Sequence, residues 1–184
     1  MEGLGKLGTS IIYSKNKGIK TAKGYKVPDN PKSDDQKEQR DYLKNGVLAW
    51  KTDGFTELDA EAWDLYALAL KVAKSGFNVC MGLKIIAKVK LLTWLKLVDI
   101  TIAEPTTTGC VVTIATATDQ TLSLYSGGSK TSMFKKTDGV WETDTTTFTI
   151  ADLTPGLEYF FYVITTLGTG AERTGIYKFK TPAE

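Results

Sequence analysis

Hydrophobic and polar residues alternate with a period of two along the last part of the chain, from about Leu97 to Glu184. Such alternation is typical of strands with one buried and one exposed face. The apolar positions that define the first three strands are Val98, Ile100 and Ile102, then Cys110, Val112 and Ile114, then Leu122 and Leu124. We interpret Asp138-Gly139 as a hairpin turn between Met133-Phe134 and Val140-Trp141. About seven short strands at regular intervals predict an antiparallel β-sandwich.

Apolar residues recur with helical spacing in the middle of the chain, between residues 31 and 96. Ser33-Asp34-Asp35-Gln36, preceded by Pro31, has the pattern of a capping box and predicts the start of a helix. Asp53-Gly54 should end this helix, because glycine tolerates the backbone that follows a helix. The apolar face of the first helix is formed by Leu43, Val47 and Trp50.

A second helix should begin at the cap formed by Thr56 to Asp59 and end at Gly76 in a left-handed C-cap. Its inner face is predicted to contain Leu58, Ala62, Leu65, Ala69 and Val72, widened by Trp63, Tyr66 and Leu70. The Trp and Tyr residues fit a core better than a platform for stacking bases. The two helices form a helical hairpin, and residues 77–89 are a candidate for a third, short helix.

The first 30 residues predict an extended β-arm. Short apolar runs at Ile11-Ile12-Tyr13 and Gly24-Tyr25-Lys26-Val27 are separated by Lys15-Asn16-Lys17-Gly18, which fits a hairpin turn. Five glycines (Gly3, Gly5, Gly8, Gly18 and Gly24) leave the arm with little core of its own. We expect it to become ordered by pairing with another domain or subunit, because exposed strand edges favour strand addition.

Positive charge is concentrated in the front half of the chain. Residues 1–96 carry 17 basic and 11 acidic residues, a net charge of +6, whereas residues 97–184 carry 6 and 10, a net charge of −4. The first 32 residues contain seven lysines and only two acidic residues, Glu2 and Asp29. A basic arm can bind nucleic acid or an acidic protein surface, or can simply be solvated. No arginine-rich or aromatic-interleaved pattern supports nucleic acid, which is therefore disfavoured as a partner.

The chain offers little catalytic chemistry. It contains no histidine, which excludes Ser-His-Asp and Cys-His systems. Cys80 and Cys110 each lie in an apolar run and are predicted to be buried free thiols. The acidic pair Asp34-Asp35, like the group Glu57, Asp59 and Glu61, fits the first turn of a helix better than paired catalytic carboxylates. We predict no catalytic, cofactor-binding or metal-binding residues, and we expect no enzyme.

The segment Leu153-Thr154-Pro155-Gly156-Leu157-Glu158-Tyr159 and the ending Tyr177-Lys178-Phe179-Lys180-Thr181-Pro182 resemble the fibronectin type III family. The resemblance covers nearly half of the chain. It implies a corner in which the Tyr159 hydroxyl bonds to backbone upstream, before a strand at 159–164. The chain departs from the family at Ile114, where a tryptophan is usual. No cell-adhesion tripeptide occurs in residues 167–173, so integrin-style binding is not supported.

The front half resembles small structural proteins encoded by phages and prophages. The resemblance is carried by Lys6-Leu7-Gly8, Ile12-Tyr13-Ser14-Lys15, Asn30-Pro31-Lys32-Ser33 with Gln36 and Gln39-Arg40, and by Trp50, Trp63 and Ser75-Gly76-Phe77-Asn78. It implies a virion protein that decorates a capsid or builds part of a tail.

The sequence therefore predicts an α+β multi-domain chain. An extended basic β-arm (1–30) and a helical hairpin domain (31–96) are followed by an antiparallel fibronectin type III-like β-sandwich (97–184). The predicted function is that of a bacteriophage virion structural protein, with other virion subunits (capsid or tail protein) as partners and a homo-oligomer in the assembly. The alternatives are a glycan- or cell-surface-binding module, with a host-surface glycan as partner, and a DNA-binding protein. No run of about 18 apolar residues predicts a membrane span, and residues 1–8 do not fit a signal peptide.

Overall fold

The computed structural model describes residues 5–7, 11–16, 19–24, 32–92, 94–116, 121–165 and 173–184. The chain forms two compact units, residues 1–37 and 38–184, which we describe separately. The first contains a three-stranded antiparallel sheet in the order β1 (Gly5–Leu7), β2 (Ile11–Asn16) and β3 (Ile19–Gly24). The predicted hairpin is confirmed, with Ile11 opposite Gly24 and Asn16 opposite Ile19. Its second strand precedes the predicted segment, whose residues 25–27 lie outside the described ones.

Three helices follow, α1 (Asp34–Thr52), α2 (Glu57–Ala69) and α3 (Gly76–Val89). The predicted cap of α1 is present, since Ser33 Oγ accepts from the Gln36 amide at 3.4 Å. Thr56 and Asp59 form a reciprocal capping box at the start of α2, as predicted. Gly54, with φ of +84°, lies in the break between α1 and α2. The predicted third helix is confirmed as α3. None of the described helices is long and apolar enough to span a membrane.

The predicted role of Gly76 is wrong. The helix α2 ends at Ala69, and Lys71 takes the left-handed conformation beyond it, with φ of 54°. Gly76 instead begins α3 and donates from its amide to Asp64 Oδ1 at 2.6 Å. A Cβ at Gly76 would lie 2.4 Å from the Asp64 nitrogen, so glycine is needed for close approach of two helices. Because α2 ends early, Leu70 and Val72 are exposed and do not belong to its inner face.

The sandwich consists of two four-stranded antiparallel sheets. The first has the order β4 (Ile100–Ile102), β5 (Cys110–Ala115), β9 (Thr145–Ile150), β8 (Val140–Glu142). The second has the order β11 (Tyr177–Lys180), β10 (Glu158–Thr165), β6 (Leu122–Gly127), β7 (Lys135–Asp138). The predicted alternation is confirmed, because Cys110, Val112, Ile114, Leu122 and Leu124 are all buried in the core.

Asp138-Gly139 does not form the predicted hairpin turn. The strand β7 pairs with β6, whereas β8 pairs with β9, so the chain crosses at Gly139 from one sheet to the other. A Cβ at Gly139 would lie 2.4 Å from Thr146 Cγ2 and 2.8 Å from the Phe148 ring. Glycine is therefore required at position 139 because the Thr146 and Phe148 side chains leave no room for a Cβ, and not because the chain makes a hairpin turn there.

The tyrosine corner is confirmed at Tyr159. The Thr154 amide donates to the Tyr159 hydroxyl at 2.8 Å, and Gly156 adopts a positive φ of 75° in the turn. Tyr159 is half-buried and stacks on Phe179 with ring centroids 5.8 Å apart.

We expect the substitution Tyr159→Phe to lower the free energy of unfolding by about 1 kcal/mol, because one net hydrogen bond is lost in a partly exposed place. Urea denaturation of the full chain measures this change. An unchanged midpoint would mean that the hydroxyl bond does not stabilise the corner.

Candidate functional site

Exposed apolar side chains are concentrated on the helical part of the molecule. Among the described residues, eight of the fourteen exposed large hydrophobic residues lie between residues 43 and 91. They are Leu43, Leu48, Leu68, Leu70, Val72, Ile86, Val89 and Leu91. Leu68 is 60% exposed and Leu91 is 89% exposed. Exposed apolar side chains that lie close together are typical of surfaces that bind another protein, and the helical part supplies more than half of those among the described residues.

A groove of about 270 Å³ lies between α1 and α3. Its lining is formed by Tyr42, Asn45, Gly46, Lys84, Ile85, Lys88, Leu92 and Trp94. The helix α1 contributes little to the core, and Gly46 is its only buried residue. Trp50 anchors its end by stacking on Phe55 at 4.2 Å. The apolar face that the sequence predicted for α1 is thus only partly covered, and Leu43 on it is half exposed.

The buried carboxylate of Asp59 joins the helices to the sandwich. Asp59 is 1% exposed. Its Oδ2 accepts from the Thr56 amide and hydroxyl, both at 2.9 Å, and from the Asp99 amide at 3.0 Å. Its Oδ1 accepts from the Tyr177 hydroxyl at 2.5 Å. Burial, followed by the neighbouring Asp59 carboxylate, raises the pKa of Tyr177 well above its usual value, so the phenol stays protonated and donates.

The backbones of α2 and the last strand region also touch directly. The Ile176 amide donates to the Ala62 carbonyl at 2.8 Å. A Cβ at Gly175 would lie 2.3 Å from the Ala62 carbonyl carbon, so only glycine permits this approach. Ala62 belongs to the same buried cluster as the sandwich core. The helix α2 therefore contributes Ala62 to the sandwich core, whereas a second buried cluster that includes Trp63 and Met81 lies among the helices.

Four planar groups stack at this junction. The Arg173 guanidinium lies 4.0 Å from the Tyr66 ring centroid and 4.2 Å from that of Tyr162. Tyr162 in turn stacks on Tyr125, with centroids 5.4 Å apart and an interplanar angle of 12°. Burial lowers the pKa of Arg173, and the two tyrosines oppose this shift. An arginine stays charged under such conditions, so the stack holds a permanent cation.

A cleft of about 400 Å³ opens beside the stack. Its described lining consists of Tyr66, Ala69, Leu70, Lys130, Thr131, Met133, Phe134, Tyr162, Arg173 and Ile176. Phe134 lies at the surface with 83% of its area exposed. The lining combines aromatic and aliphatic groups with two cations and, among the described residues, no carboxylate. This composition favours a ligand that is both apolar and negatively charged.

Sequence reasoning found some of these residues and missed others. It identified Asp59 as a helix cap, but nothing in the sequence links it to Tyr177, 118 positions away. It assigned no role to Arg173 beyond its place in a loop. The only signal in the sequence that could have drawn attention to Arg173 is the rarity of arginine, since lysine predominates among the 23 basic residues.

The two cysteines are free and buried, as predicted. Burial raises the pKa of the Cys80 thiol to about 12 and that of Cys110 to about 11. Both thiols are therefore protonated at neutral pH, which makes them poor nucleophiles. Within the part of the chain that the structure describes, no group of three or more acidic, cysteine or histidine side chains could hold a metal ion.

A comparison with protein-family models finds no match, and a comparison with curated proteins finds none either. Solved structures similar to this chain are β-sandwich domains. A computationally redesigned β-sandwich protein is 18% identical and has a TM-score of 0.39, with coverage of 50% of this chain and 97% of that one.

Two natural domains are similar to about half of the chain. The fibronectin type III domain of the human fibronectin type III domain containing protein 3 is 16% identical, with a TM-score of 0.36 and coverage of 48% of this chain and 85% of that one. The sensor domain of the anti-sigma factor RsgI4 of Pseudobacteroides cellulosolvens is 19% identical, with a TM-score of 0.33 and coverage of 47% of this chain and 95% of that one. These similarities concern the sandwich fold alone. The resemblance of the front half to virion proteins stays a prediction. The strand orders of the two sheets and the tyrosine corner make the back half a fibronectin type III-like sandwich.

Proposed function

We propose that this chain is a virion structural protein of a bacteriophage, a capsid decoration protein or a tail-associated assembly protein. Its activity is assembly without a chemical reaction. The observation that carries the proposal is the exposed apolar surface of the helical part, with Leu68, Leu70, Ile86, Val89 and Leu91 in contact with solvent. Because burial of apolar area drives association, this surface gains stability when it meets another subunit.

The described geometry supports different roles for the two halves, one in attachment and the other in exposure to solvent. The arm sheet has edge strands that can accept a further strand from a neighbour. The sandwich exposes fewer large apolar side chains, and its charged residues are partly engaged in exposed ion pairs, such as Lys178 with Glu158. In this proposal the front half anchors the protein to capsid or tail subunits, and the sandwich projects outward.

A mass-spectrometric inventory of purified particles tests the function. Particles are induced from the strain whose genome encodes the chain and are separated on a density gradient. We expect peptides of this protein to co-purify with particles in a fixed ratio to the major capsid or tail protein. Detection only in the soluble fraction, while the known structural subunits are found in particles, would contradict the proposal.

The substitutions Leu68→Ser and Val89→Ser should each reduce incorporation into particles by about tenfold or more, because each removes an apolar contact of at least ~1.4 kcal/mol. Quantitative mass spectrometry of particles measures incorporation. Val140→Ser, at a 61% exposed position of the sandwich, is the matched control and should incorporate normally. Normal incorporation of both helical variants would place the anchor elsewhere.

The second candidate function is that of a surface-binding module with a glycan or another host-surface molecule as ligand. The cleft beside Arg173 is the observation that favours such a module, and its aromatic rings and cations suit a protein segment of the host surface better than a glycan. Loss of host adsorption by particles carrying Phe134→Ala, with normal incorporation, would support this function. Unchanged adsorption would oppose it.

A further inference from the structure

The cleft that Arg173 and Phe134 line has properties that the stability of the fold does not require. Phe134 lines the cleft and is 83% exposed, although burial of a phenylalanine side chain stabilises a folded protein by about 1.5–3 kcal/mol. Aliphatic groups from Leu70, Met133 and Ile176 continue the apolar wall inward. An apolar group of a ligand would therefore find a preformed surface here.

No described residue of the cleft lining carries a negative charge that would balance its two cations. Arg173 and Lys130 both line it, and neither forms an ion pair with a carboxylate of a described residue. Among the described residues, no hydrogen-bond acceptor lies within reach of Arg173 Nη2, which is buried. The tyrosine rings cover the guanidinium faces but supply only partial negative charge. The described lining therefore presents positive charge that an anion would compensate.

We infer that this cleft binds an acidic segment of a partner protein, in which a carboxylate lies next to an aromatic or aliphatic side chain. The apolar group packs against Phe134 and Met133, and the carboxylate lies near Lys130 and Arg173. The inference goes beyond the proposed assembly function by giving the chemistry of a partner, and its test needs neither particles nor self-association.

The lining favours a peptide over a sugar. Sugars bind through many hydroxyl groups, which need both donors and acceptors around them. The described side chains of the cleft provide hydroxyls on Thr131, Tyr66 and Tyr162 and no carboxylate or amide group. Its remaining lining is apolar, which suits an aliphatic or aromatic side chain better than a polyhydroxylated ring.

A methionine-methyl NMR titration of the full chain tests the inference with small probes. The chain has three methionines, and Met133 lines the cleft, whereas Met81 is buried in the helical core. The probe is 3-phenylpropionate, which carries a carboxylate on an apolar group. We expect it to shift the Met133 methyl signal with saturation at a Kd of about 1 mM, and to leave Met81 unchanged. The uncharged 3-phenylpropanamide should bind at least about tenfold more weakly.

Variants locate the binding in the cleft. Lys130→Gln and Phe134→Ala should each weaken 3-phenylpropionate about tenfold, and an unchanged Met81 signal shows that the fold is intact. Lys136→Gln and Val140→Ala are matched controls outside the cleft lining and should bind normally. Equal binding of the amide, or no shift of Met133 by any probe, would overturn the inference. Tighter binding of glucuronate than of 3-phenylpropionate would overturn the assignment to a protein partner in favour of an acidic sugar.

Discussion

The substitution Asp59→Ala should lower the free energy of unfolding by about 3–5 kcal/mol, one of the two largest effects expected in this chain. It removes the acceptor for the Tyr177 hydroxyl and for the Asp99 amide, and it removes the half of the capping box in which Asp59 accepts from the Thr56 amide. The Tyr177 hydroxyl is buried and would be left without this partner, which costs free energy beyond the lost bond. Urea denaturation of the full chain, followed by tryptophan fluorescence, measures the loss.

Two further variants separate the causes of this effect. Glu57→Ala changes an exposed carboxylate in the same first turn and should cost less than ~1 kcal/mol, through the helix dipole alone. Tyr177→Phe leaves Asp59 with three of its bonds and should cost about 1–3 kcal/mol. If Asp59→Ala were no more harmful than Glu57→Ala, the carboxylate would be only a helix cap, and the junction would have to be held by packing.

The substitution Gly175→Ala should destabilise the protein by about 3 kcal/mol, because the new methyl group would meet the backbone of α2. The clash is with the Ala62 carbonyl carbon at 2.3 Å and the Trp63 nitrogen at 2.5 Å, and neither can move without shifting the helix. Thermal unfolding by circular dichroism measures the effect. The matched control is Gly82→Ala within α3, where a Cβ would meet nothing within 4 Å.

The control should change stability in the opposite direction. Alanine is favoured over glycine in a helix interior by up to about 1 kcal/mol, so Gly82→Ala should raise the unfolding temperature. A tolerated Gly175→Ala would show that α2 can move away from the sandwich without loss of stability. The contact at Ala62 would then be dispensable for the stability of the sandwich formed by residues 97–184.

The elements of the fold were largely predictable from the sequence because their signals are local. The alternation at Cys110, Val112 and Ile114 identifies a strand whatever its neighbours, and the capping pattern at Thr56 identifies a helix start. Glycines were interpreted less well. Gly76 and Gly139 were assigned to a helix end and a turn, but both are required because another element lies too close for a Cβ. Such crowding depends on tertiary packing and leaves no local trace.

The candidate sites were hardly predictable from the sequence, for the same reason. The Arg173 guanidinium stacks between Tyr66 on a helix and Tyr162 on a strand, and only the folded chain brings these residues together. Nothing in the sequence indicates that Phe134 is exposed, since the pair Met133-Phe134 fits the buried side of a strand equally well. The exposure of Leu70 and Val72 follows from the early end of α2 at Ala69, where the apolar pattern itself continues.

Hydrogen–deuterium exchange of the protein in solution and within purified particles tests the central claim most directly. The account predicts that amides of the arm strands and of the exposed ends of α2 and α3, near Leu70 and Val89, gain protection in the particle. The sandwich sheet that contains Val140 should exchange equally in both states. Protection gained by that sheet, with no change in the arm and the helices, would contradict the account and make the sandwich the anchor.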